Sequence, residues 1–185
     1  MRREEERISM KAFQLALIGV LLAVGFVLHA VIPGILGGMK PDMLLSMMFL
    51  AIFLFPEKKT VAVTALATGV ISALTTNFPG GQIANLIDKP ITAFIVLGLF
   101  LALRRFQGNV VYAAILAAVG TILSGTLFLL SAAIIVGLPL TFTALFLTVV
   151  LPTAALNTIV MAILYPIAQS ILKRSNVAEK QKVQL

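Results

Sequence analysis

Two short stretches of this largely apolar chain each bring lysine, proline and aspartate together. "GGMKPD" contains Lys40 and Asp42, and "ANLIDKP" contains Asp88 and Lys89. Lysines and helix N-termini attract carboxylates, whereas aspartates attract ammonium groups, so the two stretches together predict a site for a zwitterion such as an amino acid. A simpler interpretation stays open, because proline at the first helical position with aspartate beside it is also typical of helix initiation.

The glycine-rich segments around these stretches supply further polar candidates. "PGILGGMK" precedes the first aspartate, and "NFPGGQIANLIDK" contains Asn77, Gln82 and Asn85. Connections of this composition are able to fold over a ligand. Ordinary solvated turns have the same composition and remain the alternative.

Apolar candidates lie next to both stretches. Met43 and Met47 stand four residues apart, on one face of a helix, and Phe78 lies in the second glycine-rich segment. Thioethers pack well against aromatic rings, so these side chains would suit the apolar part of a ligand. Plain helix packing is the alternative interpretation of the methionines.

Two polar side chains fall within apolar runs. His29 lies near the end of the first run, and Asn157 lies near the middle of the last. A polar side chain at membrane depth usually faces the interior of a bundle, where it bridges helices or contacts a substrate. Both roles stay open for His29, whereas for Asn157 an interhelical hydrogen bond is favoured over a ligand contact.

The inventory of reactive residues argues against catalysis. The chain has no cysteine and one histidine, and neither a glycine-rich phosphate loop nor a serine-nucleophile motif is present. We therefore predict a protein that is not an enzyme and that has no metal and no cofactor.

The elements that must position these residues are membrane helices. The chain is 60% hydrophobic and 11% charged, with a mean hydropathy of +1.08, values typical of membrane proteins. Apolar runs between proline, glycine and charged breaks predict an all-α protein with six transmembrane helices. These helices are predicted at 9–32, 41–56, 59–77, 89–105, 109–137 and 142–173. The second and fourth are short for a full crossing.

The basic residues orient the chain. Six spans put both termini on one side, and that side carries 12 of the 14 lysines and arginines, all except Lys40 and Lys89. The positive-inside rule therefore predicts cytoplasmic termini and puts both candidate stretches on the outer face. Topology and attraction to membrane lipid explain the net charge of +7, so no nucleic-acid partner is expected. We predict one transmembrane domain over 1–174, whose first run is a helix and not a cleaved signal, and a cytoplasmic tail over 175–185.

The first helix carries a stripe of small residues. Ala12, Ala16, Gly19 and Ala23 are spaced four, three and four residues apart. A stripe of this kind lets another helix approach closely. The spacing does not say whether that helix belongs to this chain or to a partner subunit.

Four strings over nearly the whole chain resemble the bacterial tryptophan transport protein family, TrpP. They are "GGMKPDM", "SALTTNFPGGQIANLIDKP", "GTILSG" and "LPTAALNTIVMAILYPI", in this order. The family is grouped with the substrate-binding S components of energy-coupling factor (ECF) transporters. The resemblance implies an S-component-like six-helix bundle in the bacterial cell membrane, with an outward-facing site for tryptophan.

The resemblance also implies partners. In S components an Ala-x-x-x-Ala pattern on the first helix docks against a transmembrane coupling subunit, which ATPases drive, and here Ala12 and Ala16 match that pattern. Tryptophan would place its ammonium on Asp42 or Asp88 and its carboxylate near Lys40 or Lys89. Two other functions remain possible: a self-sufficient amino-acid carrier coupled to protons or sodium, and a scaffold subunit that binds no small molecule.

Overall fold

The computed structural model describes residues 2–33 and 40–174, with side chains described from residue 11 onward except those of 104 and 174. The connection over 34–39, which holds most of "PGILGGMK", and the predicted tail over 175–185 lie outside the described residues. All regular structure in the described part is helical, which confirms the predicted all-α class.

Six helices follow one another along the described chain. They are α1 (Arg2–Val31), α2 (Met43–Leu54), α3 (Lys58–Thr75), α4 (Gly81–Ala102), α5 (Val110–Ile135) and α6, which begins at Phe142 and ends at Arg174. A single 3₁₀ turn, Arg104–Phe106, lies between α4 and α5. The predicted number and order of helices are confirmed, although α1 begins at Arg2 and not at residue 9.

Four of these helices are long and apolar enough to cross a membrane. The qualifying segments are Lys11–Val31, Gly81–Ala102, Val110–Ile135 and Phe142–Lys173. Many apolar side chains point out of the bundle, including Leu74 at 81% exposure and Ile134 at 85%. Because lipid, unlike water, solvates such side chains at no cost, the chain is a membrane protein.

The short helix α2 is the centre of the bundle. All 12 of its residues are buried, and its length of about 18 Å is well below the thickness of a bilayer core. Phe53 stacks on Phe100 of α4 at 4.8 Å between ring centroids and meets Tyr165 of α6 edge-on at 6.1 Å. The short second helix of the sequence prediction is therefore a buried element that its neighbours surround.

The predicted start of α4 is wrong. The helix begins at Gly81, after Gly80 has reversed the chain with a φ of 68°, so α4 has 22 residues and is not short. Asp88 and Lys89 lie two turns inside it, and Pro90 is an interior residue rather than the first helical one. Transmembrane helices tolerate such prolines because neighbouring groups satisfy the freed backbone.

The start of α2 agrees with helix initiation at Asp42. Asp42 is the N-cap residue, and its Oδ1 accepts a hydrogen bond from the backbone N–H of Leu45 at 3.0 Å. Pro41 precedes the cap instead of occupying the first helical position. Asp42 is therefore a helix cap, whereas Asp88 is not.

Helix α6 contains one π-helical turn. It is α-helical over Phe142–Leu145, π-helical over Phe146–Val150, and α-helical again over Leu151–Arg174. The N–H of Leu151 donates to the carbonyl of Phe146, five residues back. Pro152 follows directly, and because its ring clashes with the carbonyl of an ordinary preceding turn, the wider π turn relieves that clash.

Candidate functional site

A cavity opens at the end of the bundle where α1, α3 and α5 end and α2, α4 and α6 begin. Its volume is about 60 Å³. The polar residues that line it are His29, Lys40, Asp42, Thr76, Asn85, Lys89, Thr121, Ser124 and Thr153. The other lining residues are Leu45, Phe78, Gly125, Phe128, Val149 and Val150. One wall is therefore polar and charged, and the other is apolar.

Lys89 is the centre of the charged wall. Its Nζ lies 2.6 Å from Asp42 Oδ2 and 2.7 Å from Asp88 Oδ2, and its side chain is 3% exposed. The two stretches singled out in the sequence therefore converge on one ammonium group. A lysine this deeply buried requires such partners, because an unpaired charge in an apolar interior is strongly destabilising.

Asp88 lies behind Lys89, and both of its carboxylate oxygens accept hydrogen bonds. Its Oδ1 accepts a hydrogen bond from Thr92 Oγ1 at 2.8 Å, and its Oδ2 accepts one from Ser124 Oγ at 2.7 Å. The side chain has no exposed surface and does not line the cavity. Asp88 therefore holds Lys89 in place from the protein side.

Asp42 faces the cavity and keeps 16% of its side chain exposed. His29 Nδ1 lies 3.5 Å from its Oδ1, beyond a good hydrogen bond, and this nitrogen has no hydrogen-bond partner among the described residues. The backbone carbonyl of Asp42 accepts from Asn157 Nδ2 at 3.4 Å, and the same amide donates to Thr121 Oγ1 at 3.0 Å. Asn157 thus links α6 to α2 and α5, the interhelical role that the sequence favoured.

Lys40 provides a second cation at the mouth of the cavity. Its side chain is buried at 9% exposure, and no ion pair to it is found within the described ranges. Burial lowers the pKa of the Lys40 ammonium, and the attraction of the nearby Asp42 carboxylate opposes that change. An additional anion in the cavity would therefore find an incompletely neutralised positive charge.

The apolar wall is built from three elements. Phe78 and Phe128 meet edge-to-face, with ring centroids 5.3 Å apart. The turn before α4 fixes Phe78, because its backbone N–H donates to Thr76 Oγ1 at 3.2 Å. Val149 and Val150 close the wall from the π turn of α6.

The cavity gathers half of the binding residues that the sequence predicted. His29, Lys40, Asp42, Phe78, Asn85 and Lys89 line it. Asp88 and Asn157 lie behind the wall and support it.

The remaining predicted residues lie elsewhere. Met43 and Met47 are buried without lining the cavity, and Met47 packs where Gly25 lets α1 approach α2. Phe78 and Phe128, and not the methionines, form the apolar lining of the cavity. Asn77 and Gln82 are exposed and do not line the cavity.

The small-residue stripe of α1 faces outward. Ala12, Ala16, Gly19 and Ala23 are all exposed, and a Cβ built on Gly19 would meet no atom within 4 Å. Within the described ranges, no helix of this chain covers the stripe.

Several cavity residues were not among the predicted ones. Thr121, Ser124 and Phe128 recur at spacings of three and four on one face of α5, a pattern contained in "GTILSG" and the residues after it. That string carried the family resemblance without being connected to a site. Val149, Val150 and Thr153 flank Pro152, the sequence signal for the distorted turn.

The comparisons with known proteins agree on one family. A family model described as "Tryptophan transporter TrpP" matches residues 11–173. A probable tryptophan transport protein of Bacillus subtilis (strain 168) is 54% identical over 94% of this chain and 100% of its own length. Probable tryptophan transport proteins of Clostridium acetobutylicum and Clostridium perfringens are 48% and 42% identical over 78% and 85% of this chain, and over 84% and 91% of their own lengths. No solved structure matches.

Proposed function

We propose that this chain, which belongs to the TrpP family of tryptophan transporters, binds L-tryptophan in the cavity and imports it across the bacterial plasma membrane. The observation that carries this proposal is the Lys89–Asp42 ion pair on one wall of a cavity whose other wall is aromatic and aliphatic. An amino acid with a large apolar side chain has the matching distribution of charge.

The zwitterion enters by separating the ion pair. Its ammonium takes the place of Lys89 beside Asp42, and its carboxylate takes the place of Asp42 beside Lys89. Asp42 and Lys89 each exchange one opposite-charge partner for another, so the buried charges are never left unpaired. Lys89 keeps Asp88 as its permanent counter-ion at 2.7 Å throughout, and Lys40 supplies additional positive potential for the carboxylate.

The indole ring packs against the apolar wall. Phe78 and Phe128 already contact each other edge-to-face, the geometry that aromatic rings prefer. At about 60 Å³ the cavity is smaller than the roughly 300–1,000 Å³ typical of small-molecule pockets. The walls therefore move apart when the ligand binds.

The proposed orientation puts the cavity on the outer side. The end of the bundle with the cavity carries only Lys40 and Lys89, whereas the other basic residues belong to the opposite end and the termini. The positive-inside rule then gives cytoplasmic termini and six crossings. In this orientation the longer helices surround the short, buried α2.

The exposed stripe on α1 supports an ECF-type S component that works with a coupling subunit and ATPases. The described part of the chain leaves the four small residues of this stripe exposed, so a partner helix could approach closely. The second candidate is a self-sufficient carrier driven by protons or sodium. It is favoured by one observation, the imidazole of His29 beside the Asp42 carboxylate.

Asp42→Asn tests the site. Asparagine caps a helix as well as aspartate does, so the variant keeps α2 intact while it removes the partner of the ligand ammonium. We expect tryptophan affinity to fall roughly 10- to 100-fold, because hydrogen bonds to charged groups contribute about 1.5–3 kcal/mol. Isothermal titration calorimetry on the purified protein measures the change, with the exposed Glu57→Gln as the matched control.

Two analogues make the assignment of charges specific. Indole-3-propionate has only the carboxylate, and tryptamine has only the ammonium. We expect both to bind wild type more weakly than tryptophan, and we expect Asp42→Asn to weaken tryptophan and tryptamine but not indole-3-propionate. If Asp42→Asn lowered the affinity for all three ligands equally, Asp42 would not be the partner of the ligand ammonium. A wild-type protein that binds none of the three ligands would overturn the proposed function.

A further inference from the structure

Gly125 of α5 and Val150 of α6 face each other across the apolar end of the cavity. Both line it, and Val150 is 2% exposed. A Cβ built on Gly125 would lie 2.5 Å from Val150 Cγ1 and 2.7 Å from Cγ2. These distances are far below van der Waals contact, so α5 and α6 approach this closely only because residue 125 has no side chain.

The position of Gly125 along α5 places it beside the ligand side chain. Its neighbour Ser124 lies 3.3 Å from Lys89 Nζ, the group assigned above to the substrate carboxylate. Phe128 follows one turn later and belongs to the aromatic wall. The proposed ligand therefore has its charged end at the level of Ser124 and its ring at the level between Gly125 and Phe128.

Val150 lies on the π turn of α6, the element best suited to shift when a ligand enters. It ends this π turn, two residues before Pro152. A π turn is a local irregularity in an α-helix and occurs frequently at functional sites. Since the Pro152 nitrogen has no hydrogen to donate, a shift of the turn breaks no hydrogen bond from that position.

We propose that the Gly125–Val150 contact determines which aromatic amino acids the cavity accepts. The ring enters between α5 and α6, where it displaces Val150 and packs flat on the bare backbone of Gly125. A side chain at 125 would reduce the room for a bicyclic ring more than for a single ring. A smaller side chain at 150 would admit substituted indoles. This inference rests on the proposed function and names the size-selective contact of that same site.

The test compares ligands of graded size on Gly125→Ala and Val150→Ala. Affinities for tryptophan, phenylalanine and 5-methyltryptophan are measured by calorimetry on the full-length purified protein. One methylene in a hydrophobic pocket changes discrimination by about 10- to 200-fold. We expect Gly125→Ala to lower the tryptophan-to-phenylalanine affinity ratio at least about tenfold, and Val150→Ala to raise the 5-methyltryptophan-to-tryptophan ratio by a similar factor.

Matched controls separate selectivity from folding. Gly98→Ala on α4 adds a methyl where no atom lies within 4 Å, and Val119→Ala truncates a valine of α5 that is 45% exposed. Both controls should keep the wild-type ratios. If Gly125→Ala fails to fold, Val150→Ala alone decides the question.

The outcomes are distinguishable. If the wild-type protein binds tryptophan and both variants keep its affinity ratios, the role of Gly125 and Val150 is overturned and the proposed function is left intact. A wild-type protein that binds none of the three amino acids would overturn the proposed function itself.

Discussion

At the scale of single residues, Asp42 and Asp88 share Lys89 but differ in their other contacts. Asp88 accepts hydrogen bonds from Thr92 and Ser124 and is fully buried. Asp42 reaches the cavity and is partly exposed. Asp88 therefore belongs to the internal scaffold of the protein, and Asp42 is available to a ligand.

Asp88→Asn should consequently lower the stability of the protein, whereas Asp42→Asn should weaken ligand binding. Asp88→Asn removes the charge from a carboxylate with three buried partners, so we expect the free energy of unfolding without ligand to fall by about 1–3 kcal/mol. Asp42→Asn keeps the helix cap and leaves Lys89 paired with Asp88. It should lose instead the thermal stabilisation that tryptophan gives, because a ligand stabilises only the state that binds it.

Thermal unfolding in detergent, with and without tryptophan, measures both quantities. Equal losses of ligand-free stability and of ligand-induced stabilisation in the two variants would contradict the division of roles. The exposed Glu57→Gln is again the control.

The sequence predicted the charged side of the site better than its hydroxyls. Lysine and aspartate are rare in an apolar chain, so their repetition was visible, and in the structure Asp42 and Asp88 both pair with the Lys89 ammonium. Hydroxyls are ambiguous, because serine and threonine in membrane helices usually bond to a backbone carbonyl one turn back. Thr121 does so, at 2.7 Å from the carbonyl of Ala117, and also lines the cavity. No local pattern separates these two uses.

At the scale of elements, the turn before α4 depends on Gly80. Its φ of 68° lies in the left-handed region, and a Cβ there would overlap the side chain of Val136 at the end of α5. We expect Gly80→Ala to lower the free energy of unfolding by at least about 1–2 kcal/mol, the usual cost of this conformation for an L-residue. Thermal unfolding measures it.

Gly98→Ala is the matched control, since Gly98 lies within α4 and no atom is near its Cβ position. Removing a glycine from a helix interior should raise stability by roughly 0.5–1 kcal/mol. Equal effects of the two substitutions would show that the φ of Gly80 does not limit the turn.

The same element shows why helix boundaries were harder to predict than helix number. Apolar runs gave six helices in the right order, because bilayer thickness imposes their length. Pro90 suggested a helix start, since an interior proline costs about 3 kcal/mol or more in water-soluble helices. In a membrane bundle the cost of an interior proline is lower. The actual helix start, at Gly81 after Gly80, depends on contacts with α5 that are remote in sequence.

At the scale of the whole molecule, the least covered helix is α1. Only 22% of its apolar segment is buried, and the small-residue stripe lies on the uncovered side. The proposed docking to a coupling subunit predicts that Ala16→Trp abolishes transport in cells that co-express an ECF coupling subunit and its ATPases, while calorimetry shows unchanged tryptophan binding. The physical reason is that a bulky side chain blocks the close approach of a partner helix.

The control is Val24→Trp, which enlarges an exposed α1 residue that points away from the stripe, at 47% exposure. Loss of binding together with transport would argue against a docking role. Accumulation of tryptophan by proteoliposomes that contain this chain alone, driven by an ion gradient, would favour the self-sufficient carrier.

The ion pair between α2 and α4 has a consequence for turnover. In the proposed binding mode, Lys89 of the empty protein competes with the substrate for Asp42, so part of the intrinsic affinity is used to separate the pair. When the binding-competent population falls about tenfold, the apparent Kd rises about tenfold. The same competition assists release, because Lys89 returns to Asp42 as the amino acid leaves. Under the proposed binding mode, the group that displaces the bound amino acid during release is therefore a lysine of the protein itself, two turns inside α4.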